Sequence, residues 1–228
     1  MENEKGLKPN TDIMFDVLSF WFKHCNKGEI EIGWRDPVKG VLNRFKRFAL
    51  DELEELCAFA ADINSTPGAN IYFRPATVGG DMPANDADFV MTPGFWVDHD
   101  VATSVARLKS HPLPAKPTFI LVTGRDPEVR CQSFWPLSEP LTSPETLREI
   151  NKALQVHFEG DPAVVNPSRL MRMPGSIAWP VKEGRTKVEP VEAIIPRDGR
   201  LSAHPLHFMI HMSRQIVPSV DLSQPALS

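Results

Sequence analysis

The chain has 228 residues, long enough for one substantial domain that buries its own core. Its net charge of −4 gives no global basic field of the kind that marks a nucleic-acid-binding protein, and its three cysteines lack the spacing of a disulfide framework or a zinc site. There is no N-terminal signal segment and no apolar run of about 18 residues, which excludes a membrane-spanning helix. We therefore expect a cytoplasmic protein with no membrane partner.

Apolar periodicity predicts a mixed α/β fold, and 22 prolines, about twice the usual share of roughly 5%, indicate many fixed loops. Thr11 or Asp12 is the expected cap of the first helix. A hairpin is expected where an apolar strand is followed by a short loop and a second strand. In chain order, the patterns predict a helix over 12–25, a strand over 30–34, a helix over 50–63, strands over 71–74 and 89–100, a helix over 102–109, the hairpin strands over 118–123 and 132–135, a helix over 144–158, and strands over 176–179 and 188–195.

The apolar run that ends in Asp98-His99-Asp100 is the most informative segment. Alternate side chains of a β-strand share a face, so Asp98 and Asp100 are expected to project together. Two adjacent carboxylates repel each other unless a cation lies between them, and Mg²⁺ takes such oxygen ligands together with substrate phosphates. The pair suggests phosphoryl-transfer chemistry, with a solvated turn at the strand end as the alternative.

Two later segments supply further candidate ligands. Thr123 and Gly124 open a turn after a predicted strand, where the backbone can approach a phosphate, although the GK[ST] ending of a Walker A loop is missing. Asp161 precedes Arg169 and Arg172, which stand three residues apart before a Pro-Gly turn. This layout can place Asp161 beside a metal ion and the guanidinium groups against phosphates or a carboxylate. Arginines that only buttress the loop are the alternative.

Basic clusters and histidines are weaker signals. Histidines near the C-terminus fit helical spacing, but no HExxH glutamate accompanies them, which favours surface or capping roles over metal binding. The basic clusters can be solvated faces, or together can form a basic groove on an acidic protein. The histidines are His204, His207 and His211, and the clusters are Lys39, Arg44, Lys46 and Arg47, then Arg169 and Arg172, then Lys182, Arg185 and Lys187.

Three segments in this order resemble the motifs of the archaeo-eukaryotic primase superfamily, in its RepB-like primase-polymerase branch from bacterial plasmids and phages. Residues 95–100 resemble its first motif, 123–137 its second, and 160–175 its third with the following R-x-x-R-x-P-G signature. The resemblance implies an α/β (α+β) fold, in which an RRM-like catalytic core packs against an N-terminal α/β lobe. It divides the chain into a flexible N-terminus over 1–10, a catalytic domain over 11–200 and a C-terminal helical tail or linker over 201–228.

The resemblance also implies roles for individual residues. Asp98, Asp100 and Asp161 would hold two divalent ions, Mg²⁺ or Mn²⁺, for template-dependent nucleotidyl transfer on single-stranded DNA. A replicative helicase module is an implied partner, because relatives of this type often carry one downstream. The residues implied to bind nucleoside triphosphate are Thr123, Gly124, Arg130, Gln132, Arg169 and Arg172, and those suggested for the template strand are Arg44, Lys46, Arg47 and Trp135.

One position departs from the family pattern. The second motif usually carries a histidine where this chain has Gln132, which brings no positive charge, and Arg130 on the same strand face is expected to supply it. The departure leaves open a non-catalytic replication module that binds single-stranded DNA or nucleotide. A metal-dependent nuclease uses paired carboxylates equally well, and a generic α/β protein with structural Asp98 and Asp100 is the third alternative.

Overall fold

The computed structural model describes residues 6–196 and 201–216. Five helices lie in these residues: α1 Thr11–Phe22, α2 Leu53–Asn64, α3 Ala102–Ser110, α4 Pro144–Phe158 and α5 Leu206–Ile216. The strands are β1 Ile30–Arg35, β2 Leu42–Phe48, β3 Ile71–Phe73, β4 Thr77–Val78, β5 Phe89–His99, β6 Phe119–Gly124, β7 Arg130–Leu141, β8 Met171–Arg172, β9 Ile177–Ala178, β10 Glu189–Pro190 and β11 Glu192–Ile194. None of the described helices has the length and apolar character needed to cross a membrane.

The strands form two main antiparallel sheets, and the mixed α/β prediction is confirmed. The N-terminal sheet has the order β2-β1-β3-β8, and the larger sheet has the order β11-β6-β7-β5-β4, with β9 and β10 paired as a short ribbon. Helices α1 and α2 pack together beside the N-terminal sheet, while α4 covers β5 and α5 packs on α4. Met209 and Met212 of α5 are buried, so this helix contributes to the common core.

Aromatic side chains join the two sheets into one core. Trp21 of α1 meets the rings of Phe119 and Phe134 edge-on, with centroids 5.8 and 5.2 Å apart. Phe73 of β3 lies 6.4 Å from Phe134 of β7, and all four rings are buried. Because large aromatics contribute most to burial in a core, these contacts fix the N-terminal sheet against the larger sheet.

Several predicted elements are confirmed and some boundaries are wrong. Helix α4 has the predicted bounds, and β6 and β7 form the expected antiparallel hairpin. The cap of α1 is Asn10, whose Oδ1 accepts a hydrogen bond from Ile13 N at 3.0 Å, in place of Thr11 or Asp12. Strand β2 was not predicted, because its charged residues obscure the alternation of apolar and polar residues around Phe45.

The predicted strand over 188–195 is two short strands on either side of Val191. The N–H of Val191 donates to Ser176 O at 2.7 Å, and its carbonyl accepts from Gly175 N at 3.0 Å, so this residue ties the chain to the Pro-Gly turn. Gly175 has a φ of +67°, and a side chain there would press against Ile13 and Met14 of α1. The turn after β8 is therefore held against the start of α1, which fixes the position of the arginine segment.

Candidate active site

Asp98 lies at the end of β5, opposite Gln132 of β7. Its Oδ1 atom is buried and has no hydrogen-bond partner. Burial, together with the charges of Asp100 and Asp161, raises the pKa of Asp98 to about 7, and a hydrogen bond from Gln132 opposes this rise. A carboxylate held in this way is stabilised by any cation that binds it.

Asp100 lies one residue beyond β5 and is partly exposed. Its two oxygens lie 4.0 Å from Lys182 Nζ and 3.9 Å from Arg185 Nη2. In the sequence, these two cations are recognisable only as members of a basic cluster, and no functional role was predicted for them. The signal that could have found them is the density of cations directly after the Pro-Gly turn.

Asp161 is brought to Asp98 by the backbone. The N–H of Asp161 donates to Asp98 O at 2.9 Å, and a Cβ on the preceding Gly160 would lie 2.9 Å from the same oxygen and would collide with Val97. Only glycine allows this close approach. The Asp161 carboxylate accepts a hydrogen bond from Ala163 N at 2.8 Å and caps a short 3₁₀ helix, Pro162–Val164.

The three aspartates share an electrostatic environment but do not form a finished ligand set. Among residues 6–196 and 201–216, no three acidic, histidine or cysteine side chains converge closely enough to hold a metal ion. Each carboxylate has a protein partner, since Asp98 accepts a hydrogen bond from Gln132, Asp100 faces cations and Asp161 caps a helix. The unpartnered Oδ1 of Asp98 and the all-oxygen donor set fit a hard divalent ion such as Mg²⁺.

His99, between the two acids of β5, is structural. Its ring nitrogens lie 2.6 Å from Ser104 Oγ and 2.8 Å from Ser133 Oγ, and the residue is fully buried. Burial lowers the pKa of His99 to about 4, so the ring stays neutral at physiological pH. It ties the end of β5 to α3 and to β7, which fixes the backbone that carries the acids.

Gln132 is buried, and its amide is hydrogen-bonded to two neighbouring residues. Its Oε1 accepts from Arg172 N at 3.0 Å, and its side chain also hydrogen-bonds to Asp98. The predicted contact of Gln132 with a triphosphate is therefore not what the geometry supports. Its amide instead links the end of β5 to β8, so Gln132 positions Asp98 and Arg172 relative to each other.

Arg130 and Arg172 are buried cations with incomplete hydrogen bonding. Arg130 donates to the carbonyl oxygens of Asp126 and Glu128 at 2.9 and 3.1 Å, yet its Nε has no partner. Arg172 places its guanidinium 4.6 Å from the centre of the Tyr72 ring, and its Nη1 has no partner. Burial lowers the pKa of Arg130, with a further contribution from the nearby positive charge of Arg185.

The turn that begins at Thr123 and Gly124 already holds an anion. The amides of Arg125 and Asp126 donate to the two carboxylate oxygens of Glu189, at 2.7 and 3.5 Å. A Cβ on Gly124 would lie 2.8 Å from the same carboxylate, so glycine allows Glu189 to enter. Because the Glu189 carboxylate, 64 residues beyond Arg125, already binds these amides, the geometry does not support the phosphate contact predicted at Thr123 and Gly124.

Arg169 lies between Asp161 and β8 in the chain and is half-buried. Its Nε donates to Ala163 O. The neighbouring Ser168 N–H donates to Asp86 Oδ1 at 3.0 Å, which holds the segment in place. An open depression borders the two residues, and it is lined by Leu42, Tyr72, Asp161, Val164, Ser168, Arg169 and Leu170.

The four residues predicted to contact a template strand differ in their exposure. Arg44 and Lys46 are exposed on β2 and remain candidates. Arg47 is 11% exposed, because its guanidinium binds Glu31 and the carbonyl oxygens of the loop that follows β4, and it is not available to DNA. Trp135 is completely buried, so the prediction for it is wrong: its Nε1 donates to Ala115 O at 2.9 Å, and its ring stacks on Phe158.

No protein-family model matches the sequence, and no curated protein matches it. Solved structures do share its fold. The primase domain of the cyanophage S-2L primase-polymerase matches 90% of this chain and 98% of its own, with a TM-score of 0.63 and 19% identity. The primase RepB′ matches 90% of this chain and 63% of its own, with a TM-score of 0.59 and 16% identity.

A second structure, the catalytic domain of primase RepB′ in complex with initiator DNA, matches 91% of this chain and 96% of its own, with a TM-score of 0.58 and 15% identity. These likenesses show that the chain has the fold of an archaeo-eukaryotic primase-type primase-polymerase domain. The fold class predicted from the sequence is confirmed. At this level of identity, the likeness concerns the fold, and the activity has to be argued from the site.

Proposed function

We propose that this chain, with its primase-polymerase fold, is a primase-polymerase that joins nucleotides on a single-stranded DNA template in phage or plasmid replication. The observation that carries the proposal is a group of unpaired polar atoms beside the acids. Four buried side-chain atoms in the described residues lack a hydrogen-bond partner, and three of them lie here: Asp98 Oδ1, Arg130 Nε and Arg172 Nη1.

Unpaired buried polar atoms cost free energy, so three at one place indicate a ligand that would pair them. One atom accepts and needs a cation, while two donate from guanidinium groups and need an anion. A divalent metal ion together with a nucleoside triphosphate supplies both kinds of partner. A free metal ion alone, or a phosphate alone, would leave one kind unpaired.

The residues take the following roles in this proposal. Asp98, Asp100 and Asp161 hold two divalent ions, Mg²⁺ or Mn²⁺, which would activate the terminal 3′-hydroxyl and stabilise the departing pyrophosphate. Arg130 and Arg172 donate to the triphosphate oxygens through their unpaired nitrogens. Half-buried Arg169 borders an open depression that Asp161 also lines. Gln132 and His99 keep the end of β5 in position.

Arg44 and Lys46 of β2 are the proposed contacts to the template backbone. Both side chains are exposed. Lys46 lies 4.1 Å from the centre of the Phe59 ring, and Arg44 pairs with Asp36 at 3.1 Å. Long cations held by their stems can still present their charged ends to phosphates. A replicative helicase partner stays a prediction from the resemblance.

The test is primer synthesis and extension on single-stranded DNA with labelled nucleotides and Mg²⁺ or Mn²⁺. We expect product from the wild type and a loss of at least about a thousandfold in an Asp98→Ala/Asp100→Ala double variant, because the site acts through charge placement. The conservative Asp51→Asn variant changes an exposed acid just before α2, outside the site, and is expected to keep the activity.

The alternatives give different results in the same assay. DNA or nucleotide binding without product, unchanged in the double variant, would replace the proposal by a non-catalytic binding module. Metal-dependent shortening of the labelled DNA would replace it by a nuclease. An absence of metal-dependent binding and of product would favour a generic α/β protein whose aspartates are structural.

A further inference from the structure

The turn at Lys182–Arg185 carries two cations to the acidic site. Arg185 N donates to Lys182 O at 3.2 Å, and Gly184 between them has a φ of +77°, as a type II turn requires. Both cations face the same carboxylate: Lys182 Nζ lies 4.0 Å and Arg185 Nη2 lies 3.9 Å from oxygens of Asp100. We refer to these four residues as the cationic turn.

The cationic turn is anchored on the side away from Asp100. Thr186 and Lys187 bind the carboxylate of Asp126, at 3.1 and 3.2 Å. Further along, Glu189 binds the amides of Arg125 and Asp126. The segment is therefore bound to the loop between β6 and β7, and the cationic turn contacts Asp100 through two long ion pairs.

Those two ion pairs are weaker than hydrogen-bonded ones. At about 4 Å both pairs exceed the 2.7–2.9 Å of a charge-assisted hydrogen bond, and the Lys182 side chain is 64% exposed. Asp100 would be a ligand of a divalent ion in the proposed function. A doubly charged ion on Asp100 would repel both cations, while the triphosphate that accompanies it would attract them.

We propose that Lys182 and Arg185 exchange partners during the reaction: they neutralise Asp100 before the metal binds, and they bind phosphate oxygens of the incoming nucleotide afterwards. This inference rests on the proposed function and assigns two further substrate-binding residues to it. It also accounts for the two cations that face Asp100, whereas Asp98 keeps one oxygen without a hydrogen-bond partner. The turn then links metal binding to nucleotide binding through one segment.

The exchange makes two predictions of opposite sign for one substitution. Lys182→Gln removes a cation that competes with the metal, so Mn²⁺ alone should bind about two- to fivefold more tightly, which is the range for an exposed ion pair. The same substitution removes a phosphate contact, so ATP and dATP in the presence of Mn²⁺ should bind about tenfold more weakly. A purely structural role for Lys182 would not strengthen one ligand and weaken the other.

Lys187→Gln is the matched control. Lys187 lies in the same segment and is 68% exposed, and its substitution removes the same charge, but it pairs with Asp126, outside the acidic site. Thr186 still binds Asp126 in this variant, so the turn keeps that anchor. We expect both affinities to stay within about twofold of the wild type. Arg185→Lys retains the charge and is expected to lose less nucleotide affinity than Arg185→Gln.

The experiment titrates Mn²⁺ into the metal-free full chain by electron paramagnetic resonance, then titrates ATP and dATP in saturating Mn²⁺ by calorimetry. Opposite shifts in Lys182→Gln and no shift in Lys187→Gln support the exchange. If the wild type binds Mn²⁺ and nucleotide but Lys182→Gln and Arg185→Gln bind both as the wild type does, the exchange is wrong and the proposed function stands. If the wild type binds neither, both are wrong.

Discussion

Two groups of buried charge differ in how completely their polar atoms are paired. In the first, which we call the Glu31 cluster, the Glu31 carboxylate accepts from Arg74 Nε at 2.8 Å, Arg47 Nε at 3.0 Å and Ala84 N at 3.1 Å. It joins β1 to β2 and to the loop after β4. Its carboxylate is fully buried with every oxygen partnered, and Arg74 Nη1 is the one buried atom of the cluster that lacks a hydrogen-bond partner. The acidic site instead leaves one carboxylate oxygen and two guanidinium nitrogens unpaired.

The Glu31 cluster therefore stabilises the fold, whereas the charged residues of the acidic site are arranged to bind a ligand. A buried acid with complementary donors on both oxygens stabilises the native state relative to a form with one partner missing. A buried acid beside two other acids destabilises it, because like charges and desolvation both oppose ionisation. Substitutions of the two acids should therefore change the free energy of unfolding in opposite directions.

The largest expected effect is a loss of stability in Glu31→Gln. Removing this charge leaves Arg74 and Arg47 without their carboxylate partner, and the expected loss is about 3–5 kcal/mol. Urea unfolding followed by fluorescence measures it. Glu29→Gln is the matched control, because Glu29 is about half exposed and lies 3.7 Å from the same Arg47. Equal losses in the two variants would show that the Glu31 cluster contributes no more than a surface pair.

The next effect is a gain of stability in Asp98→Asn, measured on the metal-free protein. The pKa of Asp98 is about 7 in the fold, above its value in the unfolded chain, so the native state binds the extra proton and loses stability as the pH rises from about 4 to 7. Asparagine mimics the protonated form. We expect a gain at pH 8 of at most about 4 kcal/mol, since one pKa unit corresponds to about 1.4 kcal/mol, and a smaller gain at pH 5.

Urea unfolding at both pH values, with a chelator present, makes this measurement. A destabilised Asp98→Asn at pH 8 would place Asp98 in the same class as Glu31 and remove the contrast. An equal gain at pH 5 and pH 8 would attribute the effect to packing, because the charge of the wild-type residue differs between the two conditions.

The part of the site that could be predicted is local in the sequence. Asp98 and Asp100 end one apolar strand, and strand alternation predicts that they share a face. Asp161 lies 63 residues later and was grouped with them through the resemblance to a family motif; the bond from Asp161 N to Asp98 O was not predicted. The mixed α/β class was predictable because each helix and most strands carry their own periodicity.

The errors come from partners that are distant in the sequence. Nothing near Gly124 indicates that Glu189 fills its turn, and nothing near Arg47 indicates that Glu31 takes its charge. Trp135 was assigned to DNA because it is aromatic, but β7 is buried on both faces at this position, and a sequence cannot tell a buried aromatic from one on a binding surface. Lys182 and Arg185 were left without a role because their partner lies more than 80 residues earlier.

The smallest expected change in stability is that of Arg44→Ala, at the proposed template contact on β2. Arg44 forms an exposed pair with Asp36, so Arg44→Ala should change the free energy of unfolding by less than about 1 kcal/mol. Its effect should appear in affinity for single-stranded DNA, measured by fluorescence anisotropy across salt concentrations, with the salt slope reduced by about 0.7 for one lost phosphate contact. Arg125→Ala is the matched control, because Arg125 is equally exposed and pairs with Glu192 on the edge of the other sheet. A contact between β2 and DNA should lower the salt slope in Arg44→Ala and not in Arg125→Ala. An unchanged slope in Arg44→Ala, or an equal reduction in both variants, would show that β2 does not contact the template.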